Sequence, residues 1–356
     1  MLQFLAGRYL LFSILGLEIL LLPFFLPKEA YGEVEYLKFT AFLTQFLLFG
    51  AATGFIVRYL KEPVEQREEL VRIFVSGSFL QASFFCVVLW LLGFGVVALL
   101  SLFAMMALVY ESISKVNESY LLGMSFKPIL SLVIISLMPV LLIANIQVNT
   151  YVVFGFIIAA FIYTGLVQHL LGRNFKKKSN FFGRLSGRGV KSYIANVKSG
   201  FVVNISTAMI FLFFYVDRSV IRDKFPEYLG DYSLSFSIVQ LTIVAITAFS
   251  YVNIVEFGKV QDDRVELKLK VLASLKKCFF LFVVMGFMSA IFSYFASIFY
   301  GYDEVFKTTC LMIVLFGSAN VLSSLNAVHL YFGSVNIVAL LVAISFIVSV
   351  SLNYVI

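Results

Sequence analysis

The most constraining feature of this chain is a series of apolar stretches, each about as long as a membrane is thick. An α-helix needs about 20 mainly apolar residues to cross the hydrocarbon core of a bilayer. Eleven stretches meet that requirement, beginning with LLFSILGLEILLLPFFLP near the amino terminus. Their predicted limits are 3–26, 37–59, 72–92, 94–112, 126–145, 150–171, 200–221, 232–257, 273–298, 305–327 and 334–354. We therefore expect an all-α, polytopic membrane protein.

The overall composition supports the same class. Hydrophobic residues make up 61% of the chain, charged residues only 13%, and the mean hydropathy is +0.98. A soluble domain could not hide that much apolar surface, whereas a membrane protein exposes it to lipid. The three cysteines lie singly in apolar stretches and the two histidines lie far apart. We expect no disulfide framework, metal site or cofactor.

The distribution of basic residues predicts the orientation. With the amino terminus in the cytoplasm, most of the 27 Lys and Arg residues fall on the cytoplasmic side, as the positive-inside rule requires. The most basic segment, residues 172–199, carries eight basic residues and no acidic ones. We interpret it as a cytoplasmic linker that contacts anionic lipid headgroups. Its interleaved aromatic residues read as interfacial anchors rather than as a nucleic-acid surface.

Two pairs of similar segments indicate an internal repeat. PKEAYGEVEYLKF (27–39) resembles FPEYLGDYSLSF (225–236) when Gly32 is aligned with Gly230, and SKVNESYLLGMS resembles SSLNAVHLYFGS further along. The first five spans would then correspond to the last five, with six spans in each unit. An even number of spans leaves both units pointing the same way, as in parallel-repeat transporters. We predict lobes at 1–171 and 200–356, the second without its last helix.

Charged residues within spans are hypotheses of function by default. Glu18 lies near the middle of the first span, while Asp217 and Arg218 end the seventh. In the repeat alignment Glu18 falls one residue from Asp217. One interpretation places these charges in a wet cavity between the first and seventh spans. The other makes them buried ion pairs that hold the bundle together, and the sequence leaves both open.

The second and eighth spans each carry a face of small and polar residues. At about 100° per residue, one narrow arc of the second span collects Tyr36, Thr40, Thr44, Ala51, Gly54 and Arg58. The eighth span has a comparable face with Ser233, Ser237, Gln240 and Thr247. Such faces either line a cavity or pack closely, since GAATG (50–54) has the spacing of a small-residue packing motif. Both readings stay open.

The chain carries none of the motifs of common enzyme classes. There is no phosphate-cradling glycine loop, no HExxH and no recognisable Ser/His/Asp set. No extramembrane segment is long enough to house a soluble catalytic domain. We expect transport rather than catalysis.

Three stretches resemble a known family: AYGEVEYLKFTAFLTQFLLFGAATGFIVRYL, YVDRSVIRDKFPEYLGDYSLSF and NESYLLGMSFKPIL. They are similar to the O-antigen and polysaccharide-unit flippases of the multidrug/oligosaccharidyl-lipid/polysaccharide exporter superfamily. Shared features are the short loop before the second helix of each half, an Arg closing the second helix and an Asp-Arg pair closing the seventh. The chain departs from the family in length, because members usually have twelve or more helices.

The resemblance implies a function. Members move an undecaprenyl-pyrophosphate-linked oligosaccharide across the bacterial inner membrane by alternating access, through a cavity lined by the first, second, seventh and eighth helices. Arg58, Asp217 and Arg218 match the family's arginine and Asp-Arg positions, and arginine binds phosphate oxygens in pairs. Arg8 and Glu18 are added to the expected path from their depth, and Gln240 from its face. A polysaccharide polymerase and a chain-length regulator are the partners such a function implies.

Two alternatives remain. A proton- or sodium-coupled multidrug antiporter of the same superfamily would export small cations and use its carboxylates as coupling sites. An O-antigen polymerase is a polytopic enzyme of similar size, but that family typically carries a large periplasmic loop. Here the longest predicted loop is the cytoplasmic linker, which argues against the polymerase.

Overall fold

A break in the second predicted span is the main departure from the sequence-based expectation. In the computed structural model this span consists of α2 (Lys28–Leu43), a 3₁₀ turn (Thr44–Leu48) and α3 (Ala51–Lys61), with a bend of 55°. Gly50 has a φ of 86°, which favours glycine, and Phe49 before it is also left-handed at 48°. The predicted span 37–59 is therefore a bent pair of helices in the structure.

Hydrogen bonds to three neighbouring helices stabilise this break. Asn204 donates to the carbonyl of Phe46 at 3.0 Å, and Gln81 donates to the carbonyl of Leu47 at 2.7 Å. Gln45, within the break, donates to the carbonyl of Ala104 at 2.8 Å. Backbone groups freed in a broken helix need such partners inside a membrane. The break also interrupts the predicted polar face of the second span, because the 100° progression does not continue through it.

The structure describes residues 2–117, 119–144, 146–172, 187–258 and 264–317, with residues 321, 340 and 344 singly. Every regular element in these ranges is helical, which confirms the all-α prediction for them. The helices not yet named are α1 (Leu2–Phe25), α4 (Val64–Leu91), α5 (Gly95–Val116), α6 (Tyr120–Gly123), α7 (Phe126–Ala144), α8 (Val148–Gly172), α9 (Gly187–Lys224), α10 (Leu229–Gly258), α11 (Arg264–Tyr300) and α12 (Val305–Met312).

Five described helices are long and apolar enough to cross a membrane, or six if the bent α2–α3 pair is one span. The five are Val64–Leu91, Gly95–Val116, Phe126–Ala144, Val148–Leu170 and Val265–Tyr300. These helices support a multi-pass membrane protein, whereas the predicted number of eleven spans is not confirmed. The last predicted span, 334–354, lies outside the described ranges apart from two single positions.

The helix that contains the seventh predicted span begins earlier than the sequence indicated. α9 starts at Gly187, inside the segment predicted to be the basic linker. Residues 173–186, which hold the KKK run, lie outside the described residues. The lipid contact expected of this segment therefore stays a prediction.

The chain divides into two compact units. Unit 1 comprises residues 1–18, 34–217 and 341–356, and in it α4 packs on α5, α7 on α8 and α5 on α8. Unit 2 comprises residues 19–33 and 218–340, and in it α10 packs on α11 and α12. The boundaries at 18/19, 33/34 and 217/218 fall within helices α1, α2 and α9. The lobes predicted at 1–171 and 200–356 stay a prediction.

Glycines bring two helix backbones together within unit 1. A β-carbon on Gly54 would lie 1.8 Å from the carbonyl oxygen of Asn196, and one on Gly200 would lie 2.0 Å from the carbonyl oxygen of Gly50. No real side chain tolerates such distances, so α3 and α9 cross with their backbones in direct contact. The small residues of the second span thus serve packing at this crossing.

Candidate functional site

Glu18 belongs to a hydrogen-bonded cluster of charged side chains in unit 1. The ammonium of Lys38 donates to Glu18 Oε1 at 2.7 Å and to Glu35 Oε1 at 2.7 Å. The hydroxyl of Ser131 donates to Glu18 Oε2 at 2.5 Å. Three helices build the cluster: α1 supplies Glu18, α2 supplies Glu35 and Lys38 one turn apart, and α7 supplies Ser131. The Glu18 side chain is buried, at 4% exposed.

Two carboxylates in this cluster share one ammonium. With all groups ionised, Glu18 and Glu35 carry two negative charges against one positive charge on Lys38. Removing unbalanced charge from water is costly, and partners must compensate for it. Glu18, which is buried, therefore depends on Lys38 and Ser131 for compensation.

A second cation lies one helical turn from Ser131. Lys127 precedes Ser131 by four residues on α7, so the two side chains share a face of that helix. The Lys127 ammonium lies 4.6 Å from the ring centroid of Phe42, which follows Lys38 by four residues on α2. A cation over an aromatic face is held by the ring quadrupole.

Arg58 connects α3 with α9. Its Nη1 donates to the carbonyl of Ser192 at 2.5 Å and to Asn196 Oδ1 at 2.7 Å, whereas Glu62 lies 3.5 Å from Nη2. The short hydrogen bonds thus go to neutral acceptors. Nearby, burial raises the pKa of the Tyr193 hydroxyl to about 12. Tyr193 precedes the predicted seventh span and donates to Gln81 Oε1 at 2.7 Å.

Arg218 and Asp217 lie on either side of a unit boundary. Arg218 is 2% exposed, and its guanidinium lies 4.5 Å from the ring centroid of Phe236 in unit 2. Aromatic contact explains how an apolar helix accommodates this charge. Asp217 is half-buried and belongs to unit 1.

The remaining predicted residues do not join these groups in the described structure. The side chain of Arg8 lies outside the described residues, although its backbone is part of α1. Gln240 is exposed on α10, whereas Ser233 and Ser237 on the same predicted face are buried. Among the described residues, no group of three or more His, Cys, Asp or Glu side chains is arranged to hold a metal ion.

Sequence reasoning missed Lys38, Glu35 and Ser131. Lys38 lies within the predicted second span, which begins at residue 37. The rule that flagged Glu18, an ionisable group within a span, applied equally to Lys38. For Ser131 no signal in the sequence was available, because a serine in an apolar helix is common.

Comparison with known proteins places the fold. No protein-family model matches the chain. No curated protein matches it either. Among solved structures, the chain is similar to an inward-facing conformation of a multidrug resistance MATE family transporter of the MOP superfamily. The TM-score is 0.70 at 13% identity, over 95% of this chain and 84% of that one. At this identity the likeness concerns the fold alone.

Proposed function

We propose that this chain is a membrane transporter that works by alternating access. The observation that carries the proposal is its fold, shared over 95% of its length with a MATE family transporter. The buried cluster around Glu18 supports it, because ionisable groups within spans mark substrate or ion pathways. The chain makes and breaks no covalent bond in this proposal.

The proposed cargo is an undecaprenyl-pyrophosphate-linked oligosaccharide, such as an O-antigen or capsule repeat unit. The three family-like stretches support it, and Arg58 offers a group suited to the pyrophosphate. Its short hydrogen bonds go to the neutral oxygens of Ser192 and Asn196. A phosphate group offers arginine an opposite charge and two parallel hydrogen bonds, which neutral oxygens do not provide. A pyrophosphate could therefore displace these acceptors.

A multidrug substrate is the second candidate. The fold neighbour is a multidrug resistance transporter, and the buried carboxylate of Glu18 suits uptake of a proton or another cation. In either case we propose that Glu18 binds the driving ion, a proton or sodium ion, and that Lys38 and Ser131 position its carboxylate.

The proposal implies a setting in the cell. A flippase of this kind would lie in the bacterial inner membrane with its amino terminus in the cytoplasm. It would work beside a polysaccharide polymerase and a chain-length regulator. Its basic segment, 172–199, would contact anionic lipid headgroups on the cytoplasmic face.

Purified protein in proteoliposomes separates the two cargoes. One assay follows transbilayer movement of a lipid-linked oligosaccharide, and the other follows efflux of ethidium under an imposed pH or sodium gradient. Movement of the oligosaccharide alone supports the flippase, and efflux of ethidium alone supports the antiporter. If folded protein, verified by its thermal transition, moves neither, the transport proposal fails for both cargo classes.

A further inference from the structure

The loops that begin the second helix of each predicted repeat contact one another in unit 2. Gly32 and Gly230, which the repeat alignment pairs, lie in the first turns of α2 and α10. A β-carbon on Gly32 would lie 2.9 Å from Leu229 Cγ and 3.0 Å from the backbone nitrogen of Gly230. One on Gly230 would lie 2.5 Å from the carbonyl oxygen of Lys28. The two segments thus approach as closely as their backbones allow.

Two ion pairs surround this glycine contact. Lys28 pairs with Asp231, whose side chain is 2% exposed, and Arg222 Nε donates to Glu33 Oε1 at 2.8 Å. Each pair joins the start of α2 to the end of α9 or the start of α10. The Lys28 ammonium also lies 5.8 Å from the ring centroids of Tyr228 and Tyr302. We call the six residues Lys28, Gly32, Glu33, Arg222, Gly230 and Asp231 the outer latch.

The two ion pairs differ in strength. Both members of the Arg222–Glu33 pair are partly exposed, at 40% and 31%, so water competes for their charges and the pair is weak. Asp231 is buried and depends on Lys28 for compensation. Contacts of this kind form and separate without unfolding a helix.

We propose that the outer latch closes the side of the protein predicted to be extracytoplasmic and separates whenever that side opens. This inference rests on the proposed transport by alternating access. The repeat segments around Gly32 and Gly230 play no part in the proposals on cargo and ion coupling, and the latch gives them a role as a gate. The competing explanation is a permanent clasp that only stabilises unit 2.

The accessibility of a buried reporter residue distinguishes a gate from a permanent clasp. Ser233 is the fifth residue of α10 and is 0% exposed. In a background with Cys86, Cys278 and Cys310 replaced by serine, Ser233→Cys is labelled with a membrane-impermeant maleimide applied from the extracytoplasmic side. The charge reversal Glu33→Arg should raise the labelling rate about 3- to 5-fold, because it replaces a weak attraction with repulsion.

The charge swap provides the matched test. Arg222→Glu alone should act like Glu33→Arg, and the double variant Glu33→Arg/Arg222→Glu should return labelling to the starting rate. Lys307→Glu, which breaks the exposed pair with Glu304 in the same unit, should leave it unchanged. Equal labelling of Ser233→Cys in all four backgrounds would overturn the latch, as would a rise with Lys307→Glu as large as that with Glu33→Arg.

A covalent lock completes the experiment. Glu33→Cys and Arg222→Cys, bridged by a short bifunctional thiosulfonate, should stop transport of the cargo that the unbridged variant moves, and a reductant should restore it. Full transport with the bridge in place contradicts the latch. The labelling experiment needs no cargo, so a failure to transport either proposed cargo leaves the labelling result decisive on its own.

Discussion

Lys38 holds two carboxylates at once: its ammonium lies 2.7 Å from Glu18 Oε1 and 2.7 Å from Glu35 Oε1, with its own side chain 12% exposed. The two carboxylates lie on different helices, Glu18 on α1 and Glu35 on α2. The ammonium therefore joins two helices by charge. Several expected effects of mutation depend on this arrangement.

Replacing Lys38 by Met should strongly destabilise the protein. The substitution leaves Glu18 and Glu35 buried without their shared cation, and breaking a buried pair costs about 3–5 kcal/mol. The double variant Glu18→Gln/Lys38→Met should recover much of the loss. Thermal unfolding in detergent measures both, with Lys307→Met as the exposed control. A single variant as stable as the double variant would contradict a charge-based role for Lys38.

Replacing Glu18 by Gln should uncouple transport from its driving ion. The amide keeps the shape of the side chain and can still accept from Ser131, but it cannot take up a proton or pair with a cation. We expect transport to lose its response to an imposed pH or sodium gradient, and to slow about tenfold under that gradient, which corresponds to about 1.4 kcal/mol. Asp223→Asn, at an exposed position of α9, removes the same charge and should respond normally. An unchanged gradient response in Glu18→Gln excludes the coupling role.

Replacing Arg58 by Gln should weaken binding of a pyrophosphate-linked cargo. Hydrogen bonds to charged groups contribute about 1.5–3 kcal/mol, so affinity should fall at least tenfold. The informative comparison is Asn196→Ala, which removes an acceptor of Arg58 and leaves its charge. If Arg58 binds the cargo, Asn196→Ala retains affinity or increases it. If Arg58 only joins α3 to α9, both variants lose transport and thermal stability together.

Replacing Gly54 by Ala should disrupt the crossing of α3 and α9. The new methyl group would overlap the carbonyl oxygen of Asn196, 1.8 Å away, and overpacking of this kind costs about 1–3 kcal/mol or more. Gly165→Ala on α8 is the control, because nothing lies within 4 Å of its β-carbon position. Helix propensity favours that change by about 1 kcal/mol. The thermal unfolding temperature should fall in Gly54→Ala and rise in Gly165→Ala. Equal shifts of that temperature in the two variants would argue against the backbone contact.

Much of the helical framework could be predicted because a membrane span can be recognised from its own stretch of sequence. The limits 3–26 and 94–112 fall within a few residues of α1 and α5, since about 20 apolar residues in a row leave few other folds. The break at Thr44–Gly50 could not be predicted in the same way. Its carbonyls are satisfied by Gln81 and Asn204, which come from distant parts of the chain.

The candidate site was predictable only in part. Glu18 could be found because a carboxylate in an apolar run is costly wherever it lies. Its partners required knowing which helices are neighbours, because Lys38 lies on α2 and Ser131 on α7. Arg58 was predicted as a cavity residue, and its hydrogen bonds to Ser192 and Asn196 depend on α9 beginning at Gly187.

The contact between Gly32 and Gly230 has a consequence for how such a chain could arise. If the two halves descend from one duplicated gene, their ancestor would have assembled as a homodimer, and this pair would have been one residue meeting its own copy on the dimer axis. A side chain at that position would collide with the same side chain of the other copy, so the ancestor would have needed glycine there. After fusion the two positions can mutate separately, but a β-carbon on Gly32 would still meet the backbone of Gly230, and one on Gly230 would meet the carbonyl of Lys28.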